Sequence, residues 1–231
     1  MADTASPTID TLLDAALAHV PFEGWSPTTF RAAVRDTGVD EAGARALAPR
    51  GALDLAVAYH RRGDQAMIER MRNTDLSGLR FSEKVAKALQ FRVEAMEDRE
   101  VVRRATALFS LPIHAAEGAK LIWETADHVW TALGDTSEDM NWYTKRATLS
   151  GVWGATVVYW LGDDSPGHAN TVAFIDRRIE DVMRIEKVKG KLRENPLTKP
   201  LMELQAGLFK RVRMPDATHL RDLPGRWQGP R

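Results

Sequence analysis

Residues 148–162 read TLSGVWGATVVYWLG, an uncharged stretch and the most apolar part of the chain. It falls short of the roughly 20 apolar residues that a membrane-crossing helix needs, so it predicts a helix buried in the core of a folded domain. Gly151 and Gly154 within it each cost about 1 kcal/mol relative to alanine in a helix interior. Two benefits would offset that cost: the close approach of a neighbouring helix, or room for an apolar ligand between helices.

The helical period continues outward in both directions, and no segment alternates like a strand. Ile9, Leu12, Leu13, Ala16, Leu17 and Val20 form one stripe over 8–20, ending before Pro21. SPTTFRAAVRDTG predicts a helix capped by Ser26, opened by Pro27 and closed at Gly38. A short helix over 40–48 stops at Pro49, and longer ones follow over 51–72, 81–98 and 99–109. Pro112 is expected to open a helix to Leu133, and two more span 139–161 and 167–189. After Asn195-Pro196 comes LTKPLMELQAGLFKRVR, then a tail rich in proline, glycine and arginine. The expected class is all-α, a helical bundle with a helix-turn-helix-like start. Its expected divisions are 1–72 (start and connecting helix), 73–190 (main helical bundle) and 191–231 (basic amphipathic helix and tail).

Composition narrows the function classes. The 231 residues are 44% hydrophobic, enough for a real core, and contain no cysteine. That excludes disulfide frameworks, thiolate zinc sites and cysteine nucleophiles, and fits a reducing compartment. The beginning of the sequence, MADTASPTIDTLLDAALAHV, has neither the basic and long apolar regions of a secretory signal nor the acid-poor composition of a transit peptide, so a cytoplasmic location is expected. The net charge is zero, yet from Arg184 onward 12 Lys and Arg face 5 Asp and Glu, leaving 20 bases and 27 acids before it. A basic end on an acidic body suits an anionic membrane or nucleic acid, or serves only solubility.

Within the last segment, Leu197, Leu201, Leu204 and Leu208 follow one helical face with Phe209 adjoining, while Lys210 and Arg211 add positive charge. Such a helix is expected to lie in a membrane interface.

The first three helices resemble the amino-terminal module of TetR-type regulators. A DNA-reading helix offers phosphate and base contacts at its start, whereas this one opens with Asp40 and Glu41 and holds only Arg45. Acids facing phosphates repel them, so no nucleic-acid partner is expected. Catalysis has equally little support. No Glu-x-x-His pair of the kind that builds di-iron sites occurs. Glu124, Asp127 and His128 share a helix and could seed a metal site, but a surface charge pair explains them better. No phosphate loop, nucleophile elbow or cofactor motif occurs. A noncatalytic chain without metal or cofactor is expected.

One motif remains. GDTSEDMNWYTKRATL at 134–149, preceded by LPIHAAEGAKLIWETADHVWTAL and followed by DDSPGHANTVAFIDRRIEDVM, resembles the core of the coenzyme Q9 family, lipid-binding accessory proteins of ubiquinone biosynthesis. The resemblance covers about 80–190 closely. It implies a TetR-like fold, an apolar pocket for an isoprenoid lipid or ubiquinone precursor, a ubiquinone-biosynthesis hydroxylase as partner, and a peripheral position on the inner membrane. By analogy with TetR-type scaffolds a homodimer follows.

Carried over to this sequence, the family's hydroxylase-docking patch falls on Asp139, Trp142, Tyr143 and Arg146. These positions are spaced by three and four and share a helical face, expected to be exposed. Trp, Tyr and Arg are also the residues that dominate interface hot spots. For the pocket, the apolar and small positions of the three longest adjoining helices are expected: Ile122, Ala126, Val129, Gly151, Gly154, Val158, Phe174 and Ile175.

Overall fold

The structure is a computed structural model that describes residues 7–136 and 140–194. Among these residues there are helices and turns and no strand. Helix α1 (Ile9–Leu17) is capped by Thr8, whose hydroxyl accepts from the Thr11 amide at 3.3 Å. The expected 8–20 helix then breaks at a turn and resumes as the short α2 (Val20–Glu23), because Pro21 suits only the first turn of a new helix. Helix α3 (Pro27–Thr37) has Ser26 as its cap and ends at Gly38, whose φ of 67° is left-handed. Asp40 caps α4 (Glu41–Leu47) through the Gly43 amide at 2.9 Å.

Helix α5 (Ala52–Arg72) is long enough, at 21 residues, to run through both halves of the molecule. Its first half closes one apolar cluster with Leu12, Leu13, Val20, Trp25 and Phe30. Its second half enters another cluster with α6 (Phe81–Glu94), α8 (Ala115–Ala132), α9 (Met140–Leu161) and α10 (Ala169–Glu194). Helix α7 (Arg99–Phe109) lies between them, with Val101 in the first cluster and Val102 in the second. Tyr59 of α5 packs on both. Pairs α8–α9, α9–α10 and α10–α6 close the larger bundle.

Three expected boundaries shift for local reasons. The 81–98 helix ends at Glu94, since Asp98 takes an extended conformation to cap α7 by accepting from the amides of Glu100 (2.7 Å) and Val101 (3.2 Å). Pro112 does not open α8; residues 110–114 form turns, with the His114 amide bonded to the Leu111 carbonyl at 2.8 Å, and the helix begins at Ala115. α10 starts at Ala169 because a 3-10 turn, Pro166–His168, precedes it with positive φ at Gly167 and His168. The buried Asp163 carboxylate ties this corner, accepting from the Ser165 amide (2.9 Å) and from the amide and hydroxyl of Thr171 (2.8 and 2.6 Å). The Ser165 and Thr171 hydrogen bonds hold its carboxyl well below the usual carboxylate range.

Residues 148–161 of this stretch lie within α9; Leu149, Val152, Trp153 and Trp160 are buried in the larger cluster, but Val158 and Tyr159 are exposed, so the expected core helix is buried on one side only. No described helix is long and apolar enough to cross a membrane.

Candidate functional site

A cavity of about 340 Å³ opens between α5, α6, α7, α8 and α9. Its walls are mostly apolar: Met96, Val102, Ala105, Phe109, Ala115, Ala119, Leu121, Ile122, Val157 and Val158, with Trp153 behind them. Two glycines shape it. Gly118 lets the end of α7 press onto α8, since a methyl there would meet the Phe109 Cβ at 2.8 Å. Gly154 sits opposite Ile122, whose Cδ1 would be 3.8 Å from an added Cβ.

The cavity has a polar floor. Arg92 of α6 is 4% exposed and donates through Nε to Asp64 Oδ1 at 2.7 Å and through Nη2 to the His60 carbonyl at 3.0 Å. Asp64, fully buried, also accepts from the Thr125 hydroxyl at 2.9 Å and lies 3.3 Å from His128 Nδ1. His60 Nε2 contacts the Leu121 carbonyl (3.1 Å) and the Thr125 hydroxyl (2.9 Å). One carboxylate thus joins α5, α6 and α8. Burial opposes its ionisation, but the His128 hydrogen bond and the Arg92 charge outweigh burial and keep its pKa below the ordinary value. The hydrogen bond to Asp64 raises His128 against its own burial. Burial, reinforced by Arg92, lowers His60 to about 4, so it is neutral at physiological pH.

A second cavity of about 340 Å³ lies on the other side of α9, between Phe81, Val85, Trp130, Leu149, Val152, Ile179 and Met183, with Lys145 at its edge. Phe81 stacks on Trp130 with centroids 5.6 Å apart. Lys145 is paired with Asp135 at 2.7 Å.

The structure distributes the expected pocket residues over three environments. Ile122, Gly154 and Val158 line the first cavity. Ala126, Val129 and Ile175 are fully buried in the packed cluster and line neither cavity. Gly151 and Phe174 lie outside both as well. A side chain added at Gly151 would meet open space, and Phe174 stacks on Tyr159 at 4.4 Å. Gly151 therefore serves neither a close helix approach nor the cavity. Tyr59, His60, Arg92, Phe109 and Trp153 were not anticipated. The signal open to sequence reading was Gly63, an isolated glycine inside a helical pattern next to Asp64.

The motif face is also rearranged. Asp139 lies outside the described residues, as do Leu197, Leu201, Leu204, Leu208, Phe209, Lys210 and Arg211. Trp142 and Tyr143 are half-buried rather than fully exposed, and both lean on Trp123 of α8 with centroids 5.9 and 6.5 Å away. Arg146 corrects the expectation of an exposed cation, being only 2% exposed. Its guanidinium reaches Asp127 (2.5 Å), Asp135 (3.1 Å) and the Trp142 carbonyl (3.3 Å), and covers the Trp142 ring at 4.1 Å. A buried cation must be paired, and these acids fix it between α8 and the start of α9.

Glu124 and His128 do not converge. Glu124 pairs with Arg61 at 3.2 Å, and His128 turns to Asp64. In the helix-turn-helix-like module, the Arg45 guanidinium lies over the Phe30 ring at 4.8 Å.

Residues 115–186 match the COQ9 family model, the family expected from the 134–149 motif and its flanks. Among curated relatives, the mitochondrial ubiquinone biosynthesis protein COQ9 of Drosophila melanogaster is 28% identical over 183 residues, which is 76% of this chain and 55% of the relative. The Rattus norvegicus protein of that name is 30% identical over 185 residues (75% and 58%), and the Homo sapiens one 28% over 185 (75% and 57%). This chain therefore spans little more than half the length of these relatives. Among solved structures, a TetR transcriptional regulator from Nitrosomonas europaea superposes with a TM-score of 0.62 at 19% identity, covering 74% of this chain and 95% of that one. That likeness establishes a TetR-like fold.

Proposed function

Taking the COQ9-family match over residues 115–186 as premise, we propose that this chain is a noncatalytic lipid-binding accessory protein of ubiquinone biosynthesis. In this reading it takes an isoprenoid quinone precursor from a membrane and presents it to a hydroxylase. The observation that carries the proposal is the apolar cavity between α5 and α9, whose Gly118, Ile122, Gly154 and Val158 all fall inside the matched region. A polyprenyl tail in a bilayer is already in hydrocarbon, so moving it into such a cavity gains little of the ~0.8 kcal/mol per CH₂ that burial from water would give. Exchange with the membrane is then nearly balanced, as a carrier requires.

The basic amphipathic stretch around Leu197–Arg211 is assigned to the membrane surface on its sequence pattern. The hydroxylase is assigned to the Trp142–Tyr143 pair and its neighbour Trp123, an aromatic cluster set in place by Arg146. A homodimer through α9 and α10 is supported by Tyr159, 37% exposed, and its stack on Phe174. The TetR-like fold leaves a ligand-responsive DNA-binding regulator as the alternative reading, but the lone Arg45 of α4 is engaged with Phe30 and Asp40 is spent as a cap.

Mass spectrometry of lipids copurifying with the protein tests the proposal, with Ile122→Trp as the variant that fills the cavity. Quinone precursors carried by the native protein and lost from the variant are expected. A native protein free of such lipids that also shifts a cognate DNA in electrophoresis would transfer support to the regulator.

A further inference from the structure

The turn between α7 and α8 forms a lip of the first cavity. Ser110 and Ala115 both line that cavity, and between them Leu111 and Ile113 stand outward, 48% and 82% exposed. Val158, itself exposed, lines the cavity from α9. An apolar lip thus borders an apolar void. Phe22 is as exposed as Ile113, but it is no part of that wall and lies beside Arg104, whose Nη2 donates to the Pro21 carbonyl at 3.2 Å.

Two observations indicate what covers this lip. The first is how the turn satisfies its polar groups. The Ser110 amide and hydroxyl both donate to the Thr106 carbonyl (3.0 and 2.7 Å), and the Leu111 amide donates to the Leu108 carbonyl (3.2 Å). The Leu111 carbonyl accepts from the His114 amide (2.8 Å) and the His114 carbonyl from the Gly118 amide (3.0 Å), while Pro112 has no amide hydrogen. Hydrocarbon admits only backbone whose polar groups are met internally. The second observation is charge. From Val101 to Ala116 the chain carries no acid, and the two arginines there, Arg103 and Arg104, share Glu100 at 3.5 and 2.9 Å. Arg61 and Lys120 likewise share Glu124, and only Arg50, met by both Asp54 and Glu117, reverses the balance. The surplus is positive. Exposed aliphatic tips flanked by surplus cations fit an anionic bilayer surface.

Resting on the reading of this cavity as a lipid site, we propose that the α7–α8 turn docks the cavity mouth onto an anionic bilayer, with Leu111 and Ile113 inserted among the acyl chains. A hydrocarbon tail then passes from bilayer to cavity without crossing water, the step that would otherwise oppose its transfer. This contact is separate from the basic stretch beyond Pro196.

The chain contains no cysteine, so a nitroxide can be attached at a single introduced one. Ile113→Cys reports on the lip, and Ser77→Cys is the control. Glu117 near the start of α8 meets Arg50 just before α5, whereas Ser77 lies past the other end of that 21-residue helix, about 30 Å along it. When vesicles of phosphatidylcholine and phosphatidylglycerol are added to the full chain, the label at 113 should become severalfold more accessible to dissolved oxygen and less accessible to a water-soluble nickel chelate. The label at 77 should not change. A label at 113 that stays in water on vesicle-bound protein, or a chain that does not bind these vesicles, overturns the proposal. So does a label at 113 that is immobilised without vesicles as protein concentration rises, which would assign the turn to contact between copies.

Leu111→Gln combined with Ile113→Gln removes the apolar tips without changing charge. Vesicle partitioning should weaken about tenfold or more, while calorimetric affinity for a short isoprenoid alcohol supplied in solution stays the same. Undiminished partitioning overturns the docking surface. Loss of affinity for the alcohol overturns it as well, by making the two tips part of the ligand site. If the native chain binds no such alcohol, the lipid reading of the cavity falls, and the label at 113 alone decides the docking surface.

Discussion

A methyl group on the α-carbon of Gly63 would lie 2.4 Å from Nη1 of Arg92. The glycine therefore exists for the guanidinium, which packs against the backbone of α5 to reach Asp64. Gly63→Ala is expected to push Arg92 out of this ion pair and leave Asp64 short of its counter-charge. The cost should be roughly 2–4 kcal/mol, less than deleting one partner of a buried pair because Thr125 and His128 still contact Asp64. Urea denaturation measures it.

Gly151 provides the opposite case. Nothing lies within 4 Å of a side chain added there, and the position is inside α9. Gly151→Ala should stabilise the monomer by about 0.5–1 kcal/mol through helix propensity alone. If α9 pairs two copies, sedimentation of the same variant will show a weakened dimer alongside the stabilised fold.

Trp142 and Arg146 should separate, although they share a helical face. Trp142→Ala removes a half-buried ring and is expected to abolish capture of the proposed hydroxylase partner while leaving the helical circular-dichroism signal intact. Arg146→Met leaves Asp135, only 5% exposed at its side chain, with Lys145 but without the buried cation. That variant should lose roughly 2–4 kcal/mol of stability. A pull-down in which Trp142→Ala keeps its partner at full strength counts against the docking surface.

His60 predicts an acid limb. Its pKa in the fold is about 4 against 6.5 when unfolded, so the unfolded chain takes up a proton first as pH falls. Stability is complete above pH 6.5 and declines between 6.5 and 4, by roughly 3 kcal/mol for this group. His128 has the opposite sign, since its raised pKa contributes stability below pH 6.5 that is lost as pH rises through the folded value. In His60→Gln, unfolding temperature plotted against pH should be flatter between 6.5 and 4 and little changed above.

Removal of residues 196–231 is expected to weaken flotation with anionic liposomes. The unfolding temperature of the remaining body serves as the control. Unchanged flotation would assign membrane contact elsewhere, with the exposed Leu111 and Ile113 as the next candidates.

Of residues 148–162, expected to be buried, only one side is covered, since Val158 and Tyr159 are exposed; the helical class and most helix boundaries were determined by the sequence itself. Those features depend on neighbours along the chain: Ser26 and Asp40 cap amides three residues ahead, and apolar residues at helical spacing must be covered. Its motif also pointed to the family whose model matches residues 115–186. Periodicity identifies a face that avoids water, but cannot tell a face that is packed from one that borders a void. Ala126, Val129 and Ile175 share the pattern of Ile122 and Val158, yet only the latter two line the cavity. Arg146 likewise looks like a surface cation until Asp127 and Asp135 meet it from positions 19 and 11 residues away. Tyr59, Arg92 and Trp153 come from three helices and meet only after the bundle closes. The tertiary structure alone decided the cavity and the Arg92–Asp64 ion pair beside it, because both depend on distances between segments that no spacing along the chain encodes.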